Sequence, residues 1–192
     1  VRGLMRSRAR LTYEQVQAAR DGQPDAVTAP LLNTVITPLY GAYRTLLAAR
    51  AARCTLELDL PERKVLLDAK GRVQGISPRA RLDSHRLIEE FMITANVAAA
   101  ETLDAKGPGC LYRVHEQPSD AKAEALRLFL KPMGYSLPQA KTLHPRLFAK
   151  VLEQAEGSPL AHLVSMVVLR SQSQACYSPE NGGHFGLALT RY

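Results

Sequence analysis

The sequence is compatible with an α/β fold class on three observations. Apolar residues recur at steps of three and four in several stretches, the mark of helices with one buried face. Short alternating or β-prone runs lie between them, some bounded by glycine, as strands are. Apolar residues fill 46% of the 192 positions, enough to build a core, which argues against a disordered chain. The length fits one domain or a large part of a bigger one.

The elements follow in order. VRGLMRSRARLTY begins irregularly, with room for a short strand. LTYEQVQAARDG predicts a short helix, with Thr12 as N-cap, Glu14 and Gln15 in the first turn and Gly22 as the stop. Leu32, Val35, Ile36, Leu39, Tyr40, Tyr43, Leu46 and Leu47 form a helical stripe whose tyrosines belong to a core. Pro38 within it predicts a kink or a late start. TLELDL, residues 55–60, alternates like a strand, and KVLLD-AKG-RVQGIS reads as two strands around a tight glycine turn. A long helix is predicted from about Asp83 to Asp104, capped by Asp83 or Ser84. LYRVH is short and β-prone. PSDAKAEALRLFLKPMG is a helix capped by Ser119 and stopped at Gly134. Two more helices carry Pro145 and Pro159 in their first turns. QACYSPENGGHFGLALTRY reads as strand, turn, strand, with HFGLALTRY dense enough for an interior strand.

Charge and cysteine usage narrow the partners. Lys and Arg number 25 against 18 Asp and Glu, a net charge of +7 and a pI near 9.5. That balance points weakly to a polyanion. Arg2, Arg6, Arg8, Arg10 and Arg20 face only Glu14 over the first twenty residues. They form either a solvated basic edge or a wall that follows phosphates. Cys54, Cys110 and Cys176 are odd in number and far apart, which suits reduced thiols in a cytoplasm rather than a disulfide scaffold or zinc site. No apolar run approaches the roughly 20 residues that span a bilayer, so no membrane partner is expected. No signal-peptide pattern is read at the start. The opening VRGLMRSRARL, without a methionine, reads as the interior of something longer.

The search for chemistry excludes several classes. His85, His115, His144, His162 and His184 show no pairing at metal-ligand spacing. Phosphate-binding glycine loops and the G-x-S-x-G nucleophile motif do not occur. A two-metal phosphodiesterase needs several carboxylates at one spot. Asp21, Asp25, Asp59, Asp68, Asp83, Asp104 and Asp120 are scattered instead. No catalytic and no metal-binding residue is therefore assigned.

RLDSHRLIEEFMITAN, residues 81–96, sets two glutamates side by side on a largely apolar helix. Glu90 stands four residues after Arg86, placed for a helical ion pair worth a few tenths of a kcal/mol. Glu89 is turned about 100° away, on the face of Met92, Ile93 and Asn96. A carboxylate beside an apolar stripe needs a partner. A basic side chain, a backbone N–H and a sugar hydroxyl all qualify.

Five stretches in this order resemble the bacterial ribonuclease R / ribonuclease II family. They are SRARLTYEQVQAA, LDLPERKVLLDAKGRV, RLDSHRLIEEFMITANVAAAETL, LYRVHEQP and VVLRSQSQACYSPENGGHFGLALTRY. RLIEEFMITANVAA and YSPENGGHFGLAL are similar to the ribonuclease R branch. The resemblance implies a partial RNB catalytic domain over residues 1–192, an α/β fold with a mixed sheet and several packed helices. It implies processive 3′→5′ hydrolysis of single-stranded RNA to nucleoside 5′-monophosphates with Mg²⁺, in the cytoplasm. The sequence departs from the family pattern at both ends. The family's D-x(5)-D-x-D-D-like metal-binding run, before the segment matched by VRGLMRS, is absent. So is a T-S-P-I-R-R-Y-like loop after the segment matched by LALTRY. The chain is thus expected to lack nuclease activity alone and to contact missing parts of its own catalytic domain. Residue by residue, Tyr13 matches a tyrosine near the RNA 3′ end, and Glu89 matches a glutamate that holds the terminal ribose. Glu90 is then structural. Arg8 and Arg10 are candidate phosphate contacts, Asn96 and His115 candidate channel residues, and His184 a structural residue. The competing readings are a non-catalytic RNA-binding module on an RNB-like scaffold and a protein-interaction domain.

Overall fold

The computed structural model describes residues 2–58, 63–78, 80–107, 109–139 and 142–192. Among these, six α-helices form two clusters of three, with two short antiparallel ribbons beside them. The first cluster holds α1 (Tyr13–Arg20), α2 (Thr37–Arg53) and α3 (Asp83–Lys106). The second holds α4 (Asp120–Leu130), α5 (Pro145–Ala155) and α6 (Ala161–Ser171). The ribbons pair β1 (Arg63–Leu67) with β2 (Val73–Pro78), and β3 (Tyr112–Val114) with β4 (Cys176–Ser178). A parallel bridge His115–His184 and an antiparallel bridge His184–Leu189 extend the pairing around β3. The α/β class stands, with a small strand component. Among the described residues no helix is long and apolar enough to cross a membrane.

Local signals set most of these elements. Thr12 accepts from the Gln15 N–H at 3.2 Å and Gln15 Oε1 accepts from the Thr12 N–H at 2.9 Å, a reciprocal cap that starts α1. Pro38 starts α2 late. It has no N–H to continue the ladder, and just before it the chain is π-helical over Leu32–Ile36, with the Thr37 N–H reaching Leu32 O. Ser119 caps α4, Pro145 opens α5, and Gly134 turns left-handed at φ +83° after a short 3₁₀ turn. Leu130, Phe148, Val151, Val164 and Val168 form the centre of the second core, each almost fully buried. Such side chains contribute about 1.5–3 kcal/mol apiece. Ile36, Tyr40, Tyr43 and Leu87 form the centre of the first, so the α2 tyrosines are indeed core.

Four expectations fail. TLELDL is not a strand over residues 55–58, and residues 59–60 lie outside the described set. Leu56 and Leu58 pack on the second core, and the Leu56 N–H donates to Gly186 O at 2.9 Å. Residues 55–58 are thus held by these side chains and the Leu56 bond. Asp83 and Ser84 lie inside α3, whose N-cap is Leu82; His85 Nδ1 accepts from the Leu82 N–H at 3.2 Å and supplies the cap. Pro159 precedes α6, in the turn that ends at Leu160. HFGLALTRY folds as a 3₁₀ turn over Phe185–Leu187 with Ala188 at φ +50°, because the segment packs around a histidine. His115 donates through Nε2 to Ser173 O at 2.8 Å and accepts at Nδ1 from the Gly186 N–H at 3.0 Å. A Cβ on Gly186 would stand 3.1 Å from that Nδ1, so glycine permits the approach.

The helix pair α2–α3 carries a buried charge. Arg50 Nη1 donates to Glu90 Oε1 at 2.5 Å, with the two side chains 9% and 4% exposed. The i,i+4 partner Arg86 expected for Glu90 is replaced by a guanidinium 40 residues away. Arg50 Nη1 also lies 3.5 Å from Glu89 Oε1, and its Nε lies 2.8 Å from Glu57 Oε1 without hydrogen-bond geometry. Burial opposes the Arg50 charge. The Glu90 hydrogen bond and the charges of Glu57, Glu90 and Glu89 outweigh it, so its pKa is raised.

Removing one member of a buried pair strands the other charge. Glu90→Leu is therefore expected to cost about 3–5 kcal/mol in urea unfolding, and Glu89→Gln no more than about 1 kcal/mol, as for an exposed pair. Equal losses would contradict this assignment of the two glutamates. His184 gives a second test. Burial first, then the neighbouring His115, pushes its pKa down from 6.5 to about 4. The unfolded chain takes up that proton first as pH falls. The stability His184 contributes is thus complete above about pH 6.5 and declines toward about pH 4. Melting temperatures across that window should show a smaller pH slope in His184→Gln than in the wild type.

Candidate RNA-binding site

α3 builds the site. His85, Glu89, Met92 and Asn96 recur at steps of four, three and four, which places them in one row along the helix. Ile93, expected on that face, is buried instead at 6% exposure. The Arg50–Glu90 contact turns Glu90 inward and leaves Glu89 half-buried beside open space. α1 is tied to the first turn of α3: Arg20 Nη1 meets Asp83 Oδ2 at 2.6 Å, and Gln17 Oε1 accepts from the Ser84 N–H at 3.1 Å. That docking lays the Tyr13 ring on the His85 ring, centroids 4.1 Å apart and planes 19° apart. Tyr13 keeps 40% of its surface exposed.

Glu89 faces a cleft of about 850 Å³ between the two helical clusters. Among the described residues, four fixed cations line it, Arg50, Arg81, Lys122 and Arg170, against two carboxylates, Glu57 and Glu89. Arg81 Nη2 contacts Glu89 Oε2 at 2.5 Å, and Arg50 approaches the other oxygen. Lys122 Nζ donates to Gln172 O at 2.9 Å, which holds the α4 side of the wall. His115 and His184 stand on the far wall with ring centroids 4.9 Å apart. The Tyr192 ring lies edge-on to His184, and its hydroxyl accepts from Asn96 Nδ2 at 3.2 Å. Asn96 is thereby joined to the cleft's far wall.

The structure brings four of the six sequence-predicted residues together. Tyr13, Glu89 and Asn96 lie along the exposed row of α3, and His115 lines the cleft opposite. Both His115 ring nitrogens are spent on backbone partners, so its place on the wall is a packing one. Arg8 and Arg10 are exposed on the irregular N-terminal segment and are not among the residues lining the cleft. Sequence reasoning missed Arg81, Lys122, Arg170 and His85. Only His85 left a signal there, four residues before Glu89 on the same helix.

Mg²⁺ does not fit this cleft. Glu57 and Glu89, the two carboxylates among its described lining residues, are each held against Arg50 or Arg81, and two guanidiniums repel a dication. Among the described residues no three His, Cys, Asp or Glu side chains gather as a metal cage would require.

Known proteins share this sequence and fold. The RNB domain family model matches residues 1–192. Ribonuclease R of Aquifex aeolicus is 40% identical over 98% of this chain and 27% of its own length. Ribonuclease R of Escherichia coli is 37% identical over 98% of this chain and 23% of its own length. The chain therefore spans about a quarter of the curated relatives it matches. The structure of Mycoplasma genitalium RNase R in complex with ribose methylated single-stranded RNA superposes on 94% of this chain and 28% of that one, with TM-score 0.85 and 22% identity. With its whole length matched, the chain belongs to the RNB domain family, and the two curated relatives named above are ribonuclease R proteins.

Proposed function

We propose that this chain forms part of the RNA channel of a 3′→5′ exoribonuclease that degrades single-stranded RNA to nucleoside 5′-monophosphates. The observation that carries the reading is the position of Glu89. It is a half-buried carboxylate in a cleft whose described lining carries excess positive charge, one turn of α3 from His85, on which the exposed Tyr13 ring stacks. A carboxylate only accepts hydrogen bonds, and a ribose 2′-OH donates one where deoxyribose has nothing to offer. The Tyr13 ring offers a face to the terminal base. Arg81 and Arg170 neutralise the backbone that enters the cleft, and Arg8 and Arg10 meet phosphates farther out. Asn96 adds a polar contact along the row.

The cleft's described residues supply no ligand set for Mg²⁺, so acids elsewhere in the parent protein would have to hold any ion that activates water for hydrolysis. The chain alone then binds RNA without cleaving it, and its role is to seat the ribose and base. Its three free thiols suit a cytoplasmic setting. RNA binding without Mg²⁺-dependent cleavage by the full parent would favour the alternative, a non-catalytic RNA-binding module on the same scaffold.

Two variants of the parent protein test the reading. Glu89→Ala is expected to lower the preference for RNA over DNA by about tenfold, the worth of one charged hydrogen bond; an unaltered ratio refutes the ribose contact. Tyr13→Ala is expected to weaken holding of the 3′ end by roughly 1–3 kcal/mol, as loss of one base stack does. Unchanged 3′-end affinity and product lengths would remove Tyr13 from the site.

A further inference from the structure

We infer that His85 is a positioning residue that sets the spacing between the Tyr13 ring and the Glu89 carboxylate, so that the 3′-terminal nucleoside is read as one rigid unit of base and ribose. The inference rests on the function proposed above and adds to it a residue and a reason for its chemistry. Tyr13 stacks on His85 with nearly parallel planes, so one ring face is covered and the base has the other. His85 cannot turn freely, because its Nδ1 accepts from the Leu82 N–H. The neutral ring then carries its proton on Nε2. Tyr13 is fixed in turn, since it is the first residue of α1, directly after the reciprocal cap of Thr12 and Gln15. Arg20 and Gln17 fasten α1 to Asp83 and Ser84, in the same first turn of α3 that carries His85. Glu89 stands one turn further along that helix. The ring surface and the carboxylate therefore belong to one rigid body, and a base seated on Tyr13 has its ribose directed toward Glu89.

His85 has two separable jobs, capping α3 and backing Tyr13. His85→Asn keeps an acceptor for the Leu82 N–H and removes the ring. His85→Phe keeps a ring and removes the acceptor. In the full-length parent protein, affinity for a 3′-hydroxyl single-stranded RNA should fall about two- to tenfold in His85→Asn, the worth of one ring stack, and return in His85→Phe. Melting temperature should follow the opposite order. On the same RNA with an abasic 3′-terminal residue, both variants should match the wild type. Wild-type affinity in His85→Asn, or affinity not restored by His85→Phe, overturns the inference, as does an equal loss on the abasic RNA. Glu89→Ala run in parallel separates the two readings. If it shifts the RNA/DNA ratio while the His85 variants behave otherwise, only the His85 inference falls. If the wild-type protein does not hold an RNA 3′ end, both fall.

Discussion

The buried contact between Arg50 and Glu90 is the constraint on which the site depends. A carboxylate at 4% side-chain exposure has to find a counter-charge, and the α2 guanidinium supplies it. Meeting that need fixes the rotation of α3 about its own axis. Successive helical residues diverge by about 100°, so once Glu90 points inward, Glu89 points along the cleft. A pair of adjacent glutamates thus divides into one that holds the fold together and one that remains available. Arg50 couples the two, because it reaches Glu89 and Glu57 as well as Glu90.

The same rotation aligns His85, Met92 and Asn96 with Glu89. Everything else at the site is brought to that row. α1 arrives at its start with Tyr13. The chain's last residue, Tyr192, arrives near its middle through Asn96, and Arg191 meets Asp104 at 2.8 Å near its end. The second helical cluster closes the far wall with Lys122 and Arg170. His115 and His184 join that wall to β3 and the tail by ring packing and backbone hydrogen bonds, which leaves them structural. The cleft is therefore made at a junction, and its charge is scattered over residues of α2, α3, α4 and α6 and over Glu57 and Arg81 in the connecting segments.

That scatter explains what the sequence revealed. Signals that act within a few residues were legible: the Thr12–Gln15 cap, the late start at Pro38, the glycine turn between β1 and β2, and the Ser119 cap. Signals that need a distant partner were not. Glu90 looked like a partner for Arg86 because helical spacing favours it, whereas burial selects Arg50 from another helix. TLELDL alternates like a strand, yet Leu56 and Leu58 serve the second core, and the Leu56 N–H bonds to Gly186 O. HFGLALTRY has strand-like density, but Gly183 and Gly186 let it coil around His115 and His184. Tyr13 became a candidate only through family resemblance, which also decided for Glu89 among the partners that its helix position left open. The spacing of residues along the chain says nothing of the α1 docking that stacks Tyr13 on His85, one turn of α3 from Glu89. Arg81, Lys122 and Arg170 carry no motif and are recognisable only once folded.

The most direct test of this account is the structure of the parent protein bound to a single-stranded RNA with an intact 3′-terminal ribose. The terminal base should lie on the Tyr13 ring, and the 2′-OH should be within hydrogen-bond distance of Glu89, with Glu90 still on Arg50. An RNA whose 3′ end lies elsewhere, with Glu89 bound only to Arg81 and Arg50, would contradict it.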